Sequence, residues 1–358
     1  MKPGPDIRTA IMVLMASALV GCSELAYYHQ AVEGHLQIVG KQRPVDVLLA
    51  SRDTRPELSD RLRLSEELRD YAVTDLALPD NESYRSYVEL DRPFAVWSVF
   101  AAPELSMQPA TWCYPFVGCL AYRGYFDQQA AQALAAELRE EGQEVWIGGV
   151  PAYSSLGWSQ DPLLSTFIGW SDGRLAELVF HELAHQKIYV SGDTAFNEAF
   201  ATAVGQHGAE RWLQSRGDAD QLAAYRRLRA RRRSFLELTG QYRAALQAIY
   251  SSARDDDEAK RRAKADALRE LAEDYGHWKF RHGGYSGYDR LIAPGPNNAW
   301  FAAMATYHEL VPAFDRLLAD SGDEFPLFYA EVERLAALQK EVRQGYLEAL
   351  RTAADVSN

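Results

Sequence analysis

The chain has 358 residues, of which 47% are hydrophobic and 25% are charged, and its formal net charge is −12. Such a composition can bury a sizeable core, and it differs from that of disordered chains, which are poor in apolar residues. The negative charge argues against a protein that binds DNA or RNA, which would carry a basic surface, so no nucleic-acid partner is expected.

A short apolar run, Ala10 to Val20, follows two basic residues and ends just before Cys22. It is too short to span a membrane and is typical of a secretory signal peptide. The small residues before Cys22 resemble a bacterial lipobox, which implies cleavage before Cys22 and acylation of its sulfur. Ser23 resembles the outer-membrane sorting pattern, so we expect a lipid anchor on the periplasmic side of the bacterial envelope, in the outer membrane. The alternatives are an ordinary signal peptide and a buried helix with a chance cysteine.

The next elements are two helices and then a group of strands. Apolar spacing predicts a helix over Tyr27 to Ala50, interrupted at Pro44, and a second helix over Pro56 to Ala72. Runs rich in β-branched and aromatic residues predict strands over Phe94 to Phe100, Cys119 to Phe126 and Glu144 to Val150. These strands indicate a small sheet that forms one wall of a cleft.

Cys113 and Cys119 remain as an even pair if Cys22 carries lipid. In an oxidising compartment they could form a disulfide, and the five residues between them, with a proline and a glycine, suit a tight closed turn. The alternative is two free thiols in a strand. Metal binding by this pair is not favoured, because no histidine lies near it in the sequence.

The segment Glu177 to Gln186 contains His-Glu-x-x-His on a predicted helix. His181 and His185 lie one turn apart on the same face, so that both imidazoles can bind one metal ion. Glu182 stands beside the first histidine, where a carboxylate can take a proton from metal-bound water.

A catalytic zinc usually has three protein ligands, and the next helix offers the third. It begins after a short break, with Asp193 or Thr194 as N-cap, and carries Glu198. Two antiparallel helices joined by a tight turn bring Glu198 back over the histidines. The sequence therefore predicts a zinc site formed by His181, His185 and Glu198.

The remaining chain is predicted to be mostly helical, and it offers two candidate donors for an oxyanion. Tyr288 lies in a glycine-rich loop, and Tyr307 lies on the helix that follows. A tyrosine hydroxyl can stabilise the oxyanion that forms during hydrolysis, and Tyr307 is the preferred candidate. The last stretch, Pro326 to Ala354, is predicted to form one long helix.

Several segments resemble the putative aminopeptidase family of bacterial lipoproteins. They span nearly the whole mature chain and are Tyr27 to Ala31, Tyr122 to Phe126, Leu156 to Trp158, Leu178 to Gln186, Gly192 to Ala201 and Pro296 to Ala299. The resemblance implies zinc ligation by His181, His185 and Glu198, with Glu182 as general base. Related gluzincins often carry an Asp that orients the first histidine, and this sequence has Thr202 at that position. A strand of the Gly-x-Met-Glu-Asn type, which grips the substrate amine, is not found.

We therefore expect an α+β, predominantly helical fold: a zincin-like catalytic domain with a small sheet packed on the metal-binding helices. Residues 1–21 are expected to form the lipoprotein signal peptide and 22–358 a single metallopeptidase domain. In that domain, 22–165 form the helical and sheet N-terminal part and 166–358 the helical zinc-binding part.

The leading hypothesis is a lipid-anchored, zinc-dependent aminopeptidase in which Glu182 assists the attack of zinc-bound water on a peptide. The alternatives are an endopeptidase or another amide hydrolase, or a non-catalytic envelope lipoprotein with a structural metal site.

Overall fold

The structure is a computed structural model that describes the backbone of residues 7–114, 118–154, 160–254 and 256–356; side chains are described over the same ranges except at 7–23, 306–308 and 353–356. The helices, in chain order, are α1 (Ile7–Gly40), α2 (Val45–Ala50), α3 (Pro56–Thr74), α4 (Gln128–Glu140), α5 (Asp172–Lys187), α6 (Thr194–Ser215), α7 (Ala219–Ser251), α8 (Asp257–Arg281), α9 (Asp289–Ile292), α10 (Asn298–His308), α11 (Val311–Asp320), α12 (Phe325–Ala336) and α13 (Lys340–Val356). The fold is predominantly helical, as predicted.

The strands in the part of the chain that the structure describes all lie before α5 and form small sheets. They are β1 (Arg43–Pro44), β2 (Ser86–Val88), β3 (Val96–Pro103), β4 (Trp112–Tyr114), β5 (Gly118–Leu120), β6 (Arg123–Tyr125), β7 (Gln143–Val150) and β8 (Leu163–Leu164). β3 pairs antiparallel with β6 and β7 to form the central sheet. β2 pairs antiparallel with β1 and parallel with β8. With helices and small separate sheets in one chain, the molecule belongs to the α+β class.

The main hydrophobic core surrounds α5 and α6. Val179 and Phe180 of α5 and Phe200 of α6 are fully buried in it, and the β2–β8 pair contributes Val88 and Leu164 to the same cluster. The central sheet meets α6 less directly, because α10 packs against both β3 and α6. α5 and α6 are therefore enclosed by core packing, which fixes their relative position.

A short disulfide-closed hairpin lies against the turn between α5 and α6. β4 and β5 pair antiparallel, and Cys113 and Cys119 face each other across them and are joined in a disulfide. Gly118 has φ +88°, and a Cβ there would lie 2.8 Å from the Cα of Gly192. The lack of a side chain at Gly118 permits this close approach.

The C-terminal part differs from the prediction of one long helix. α12 ends at Ala336 and α13 begins at Lys340. Arg343 donates to the carbonyl oxygens of Ala336 and Leu338, so its side chain binds the backbone where α12 ends. Over the residues that the structure describes, none of the helices is both long and apolar enough to cross a membrane.

Candidate metal centre

The turn between α5 and α6 is held by backbone geometry and by one asparagine. Gly192 adopts φ +77°, and the amide of Asp193 donates to the carbonyl of Val190. The Asn197 side chain closes the loop, because it accepts from the amide of Val190 and donates to the carbonyl of the same residue, both at 2.8 Å. Asn197, which precedes the third candidate ligand, therefore has a structural role that the sequence did not reveal.

Asp193 caps α6 and joins it to α13. Its carboxylate accepts from the amide of Phe196, as expected for an N-cap. The same carboxylate accepts from two nitrogens of the buried Arg343 guanidinium at 2.6 and 3.0 Å. Asp193 is thus the cap, and the alternative, Thr194, is the first residue of the helix.

A glycine allows α6 to approach α5 closely. A Cβ at Gly205 would lie 2.5 Å from the carbonyl oxygen of Glu177 and 3.1 Å from the Cβ of His181. Real Cβ atoms do not approach backbone oxygens this closely, so only glycine permits the observed spacing at this point of the helix pair.

Replacing Gly205 with Ala is expected to lower the free energy of unfolding by about 1–3 kcal/mol, because the two helices must separate. Gly240→Ala is the matched control, since Gly240 lies on an exposed face of α7 with nothing within 4 Å of the added Cβ. The control is expected to raise stability by about 0.5–1 kcal/mol through helix propensity. Equal stability of the two variants in urea unfolding would contradict the close approach of the helices.

His181, His185 and Glu198 converge as the sequence predicts. The Nε2 atoms of the two histidines are 3.1 Å apart, and Oε2 of Glu198 lies 3.4 Å from that of His181 and 3.6 Å from that of His185. Among the described side chains, these residues form a group whose ligand atoms lie within 4.8 Å of one another.

The donor set fits a zinc ion. Two ligand atoms bound at about 2.05 Å to a tetrahedral zinc are separated by about 3.3 Å, close to the three observed separations. Two imidazole nitrogens and one carboxylate oxygen are also the ligand types that catalytic zinc sites use. The three residues could therefore hold such an ion with little rearrangement.

Electrostatics within the group favour a charged carboxylate. Burial acts to raise the pKa of Glu198, but His185 and His181 outweigh it and hold the pKa of this carboxyl well below its usual range. Burial acts to lower the pKa of His181, and the hydrogen bond with Glu198 and the charge of Glu182 raise it above its usual value. The site thus keeps a negative ligand beside two imidazoles.

The outer nitrogens of the two histidines have different surroundings. The Thr202 hydroxyl lies 3.5 Å from Nδ1 of His181, at the long end of a hydrogen bond. Nδ1 of His185 is buried and has no hydrogen-bond partner among the described residues. Thr202 therefore stands where a carboxylate often orients the first histidine, but it makes a weaker contact.

Glu182 lies outside the ligand group but within its electric field. The pKa of Glu182 is raised above its usual value, mainly by burial. His181 and His185 act to lower this pKa and offset part of the effect. A carboxyl with a raised pKa is better suited to accept and return a proton near neutral pH.

The charges of these carboxylates also act on two further tyrosines, Tyr122 and Tyr189. Burial and the charge of Glu198 raise the pKa of Tyr122 well above its usual range, and Glu182 adds to the effect. Burial and Glu198 also raise the pKa of Tyr189. Tyr122 lies between β5 and β6, and its ring packs on Phe100 at 5.5 Å. It belongs to a segment that the resemblance included, which was the available signal.

A buried polar network holds the end of α5 next to the site. Gln186, which follows His185, accepts from Asn81 at 2.5 Å and donates to Ser83 and Asp161 at 3.2 Å. Tyr84 is buried beside this network with φ +63°, a region that bulky residues rarely adopt. Its amide donates to the carbonyl of Asp161. The network therefore fixes the chain on the side of α5 that faces Glu182.

The structure describes the side chain of one of the two tyrosines predicted from the sequence, Tyr288, but not that of the other, Tyr307. The Tyr288 ring stacks on Phe235 at 3.9 Å, within an aromatic cluster, which gives this side chain a packing role. Tyr307 belongs to α10, but its side chain lies outside the described residues, as does that of Cys22 in α1. Leu156 to Trp158 also lie outside the described residues.

Asn297 and Asn298, in another segment of the resemblance, connect α10 to the central sheet. Asn297 caps α10 and donates to the carbonyl of Val145 in β7. Asn298 donates to the carbonyls of Pro103 and Glu104, at the end of β3. These asparagines position the helix that packs against α6.

A family of known sequences matches the part of the chain that contains the candidate metal centre and the segments around it. The sequence model of the family described as "Putative aminopeptidase" matches residues 26–347. No curated protein and no solved structure matches the chain. Because the matched range covers most of the sequence and includes α5, α6 and the segments that support them, the chain belongs to the family described as "Putative aminopeptidase".

Proposed function

We propose that the chain is a zinc-dependent aminopeptidase with a zincin-like catalytic domain over residues 22–358, anchored to the periplasmic side of the outer membrane by lipid on Cys22. The observation that carries the proposal is the convergence of His181, His185 and Glu198 beside Glu182. Membership of the family supports a peptidase that acts on peptides.

His181, His185 and Glu198 would hold the zinc ion. When bound, the ion supplies Lewis-acid activation of a water molecule and of the scissile carbonyl. Glu182 accepts a proton from the attacking water and donates it to the leaving amine, so that the same carboxyl acts first as base and then as acid. Its position next to His181 in the sequence keeps it near the reacting atoms without making it a ligand.

Tyr122 is a further proposed donor for the oxyanion, beside Tyr307 and Tyr288, whose roles stay predictions. Its phenol lies within the field of Glu198 and Glu182, and its raised pKa keeps the hydroxyl protonated and able to donate. A positioned hydroxyl that bonds the developing charge lowers the barrier to hydrolysis.

Tyr122→Phe is expected to lower kcat by roughly 10²-fold while zinc content and the melting temperature stay near those of the wild type. Steady-state kinetics with a peptide substrate measure the effect. Tyr189→Phe is the matched comparison, because the charge of Glu198 also raises the pKa of the Tyr189 phenol. A large loss in Tyr189→Phe with none in Tyr122→Phe would assign the role to Tyr189.

The function is tested with the purified protein, a short peptide with a free N-terminus and the same peptide N-acetylated. We expect release of the first amino acid from the free peptide, loss of activity with a chelator, and recovery when zinc is added. Cleavage of both peptides at internal bonds would indicate an endopeptidase. No cleavage of either peptide by the zinc-loaded protein would contradict the proposal.

A further inference from the structure

One face of α1 carries a row of exposed apolar side chains, which we call the apolar stripe. The exposed fractions are Leu25 72%, Tyr28 41%, Val32 57%, Leu36 60% and Val39 40%. The spacing of three or four residues aligns these side chains along one side of the helix. At 1.5 Å per residue, the stripe is about 21 Å long.

The opposite face of α1 packs on the protein, so the stripe points away from it. The Arg123 guanidinium lies 3.9 Å from the ring centre of Tyr27, and Gln30 accepts from the amide of Phe126. Further along, the Tyr153 hydroxyl lies 3.1 Å from Nδ1 of His35, and Ile38 is buried in the core. One side of α1 is thus held by contacts with the rest of the protein. A continuous exposed apolar row on the other side is typical of a surface that binds a partner.

The position of the stripe on the helix indicates what covers it. The stripe begins at Leu25, one turn after Cys22 in the same unbroken helix. Acyl chains on Cys22 would keep that turn at the bilayer surface, and a helix held there by one end can lay its apolar face into the interface.

Charge identifies the kind of surface. Between residues 24 and 40 the sequence has no Lys or Arg. Its acidic residues are Glu24, which pairs with Arg123, and Glu33. Without Lys or Arg, the helix has little attraction for anionic head groups, and apolar burial must supply most of the contact.

We infer that the apolar stripe of α1 inserts into the head-group region of a zwitterionic phospholipid surface, so that the anchored domain lies with α1 along the membrane. The inference rests on the proposed lipid anchor at Cys22 and adds an orientation to it. A second copy of the chain is the competing occupant, since a similar spacing also suits paired helices.

The test uses the acylated chain in phosphatidylcholine vesicles, with a spin label on a single introduced cysteine. Cys113 and Cys119 are joined in a disulfide and Cys22 carries lipid, so the introduced thiol is the one available for labelling. Val32→Cys reports on the stripe. Gln37→Cys is the matched control, because Gln37 is exposed on α1 but lies on another side of the helix.

We expect a label at residue 32 to lose accessibility to an aqueous nickel chelate by at least about fivefold relative to one at residue 37, and to gain collisions with oxygen. Adding anionic lipid should not change the result. Equal aqueous accessibility at both positions would overturn the inference. So would spin–spin broadening at residue 32 that disappears on dilution with unlabelled protein, because it would assign the stripe to a second copy.

The failure of the anchor is distinguished by mass spectrometry of the N-terminal peptide. An unmodified Cys22 would contradict both the proposed lipid anchor and the inference that depends on it. An acylated Cys22 with an aqueous label at residue 32 would remove the inference alone and leave the anchor in place.

Discussion

Glu182→Gln is expected to leave zinc bound while lowering kcat for peptide hydrolysis by at least about 10²-fold. Glutamine has nearly the same size and shape, but its amide cannot accept the proton of the attacking water. The metal should remain, because the ligand group consists of His181, His185 and Glu198. Zinc content and steady-state kinetics, measured on the same preparation, separate binding from chemistry.

Glu66→Gln is the matched control for this variant. Glu66 is exposed on α3, so its loss of charge should leave kcat unchanged. Turnover of Glu182→Gln within a few-fold of the wild type would leave the proposed mechanism without its base. Loss of zinc from this variant would instead show that Glu182 helps to hold the metal.

His185→Ala is expected to abolish both stoichiometric zinc and activity. It removes one of three donors, and the affinity should fall by more than the ~10–100-fold that loss of an outer partner costs. The remaining two side chains are too few for a catalytic zinc site. Elemental analysis after dialysis measures the zinc per chain.

His277→Ala is the control for the loss of a histidine, because His277 is exposed on α8. It should retain one zinc per chain and full activity. Circular dichroism of both variants checks that the helices persist. One equivalent of zinc retained in folded His185→Ala would contradict the ligand assignment.

The convergence of His181, His185 and Glu198 could be predicted from the sequence because it depends on local features. His181 and His185 are one helical turn apart, and a short break with a capping Asp193 directs the next helix back over them. Helical periodicity, helix caps and short turns are all determined by residues that are close together in the sequence. The approach of Glu198 to the histidines follows from these features.

Other parts of the site depend on contacts between distant segments, which periodicity does not reveal. Tyr122 is far from Glu182 and Glu198 in the sequence, so the effect of their charges on its phenol depends on the fold. The parallel pairing of β2 with β8 likewise joins residues far apart in the chain. Tyr288 had a suitable side chain in a glycine-rich loop, but its stacking on Phe235 depends on the packing of α7. Side-chain type alone therefore could not separate these tyrosines.

The prediction of one long C-terminal helix was wrong for a related reason. Its apolar spacing continues through the break between Ala336 and Lys340, so the pattern gave no sign of an end. The break is stabilised by Arg343, whose side chain also pairs with Asp193 at the start of α6. A contact between segments 150 residues apart thus helps to end a helix that local sequence would continue.

Anomalous diffraction at the zinc absorption edge, from crystals of the zinc-loaded protein, tests the proposed zinc site. We expect one strong peak within about 2.0–2.2 Å of Nε2 of His181, Nε2 of His185 and a carboxylate oxygen of Glu198. A peak bound by other residues, or no peak between α5 and α6 in protein that carries one zinc per chain, would contradict it.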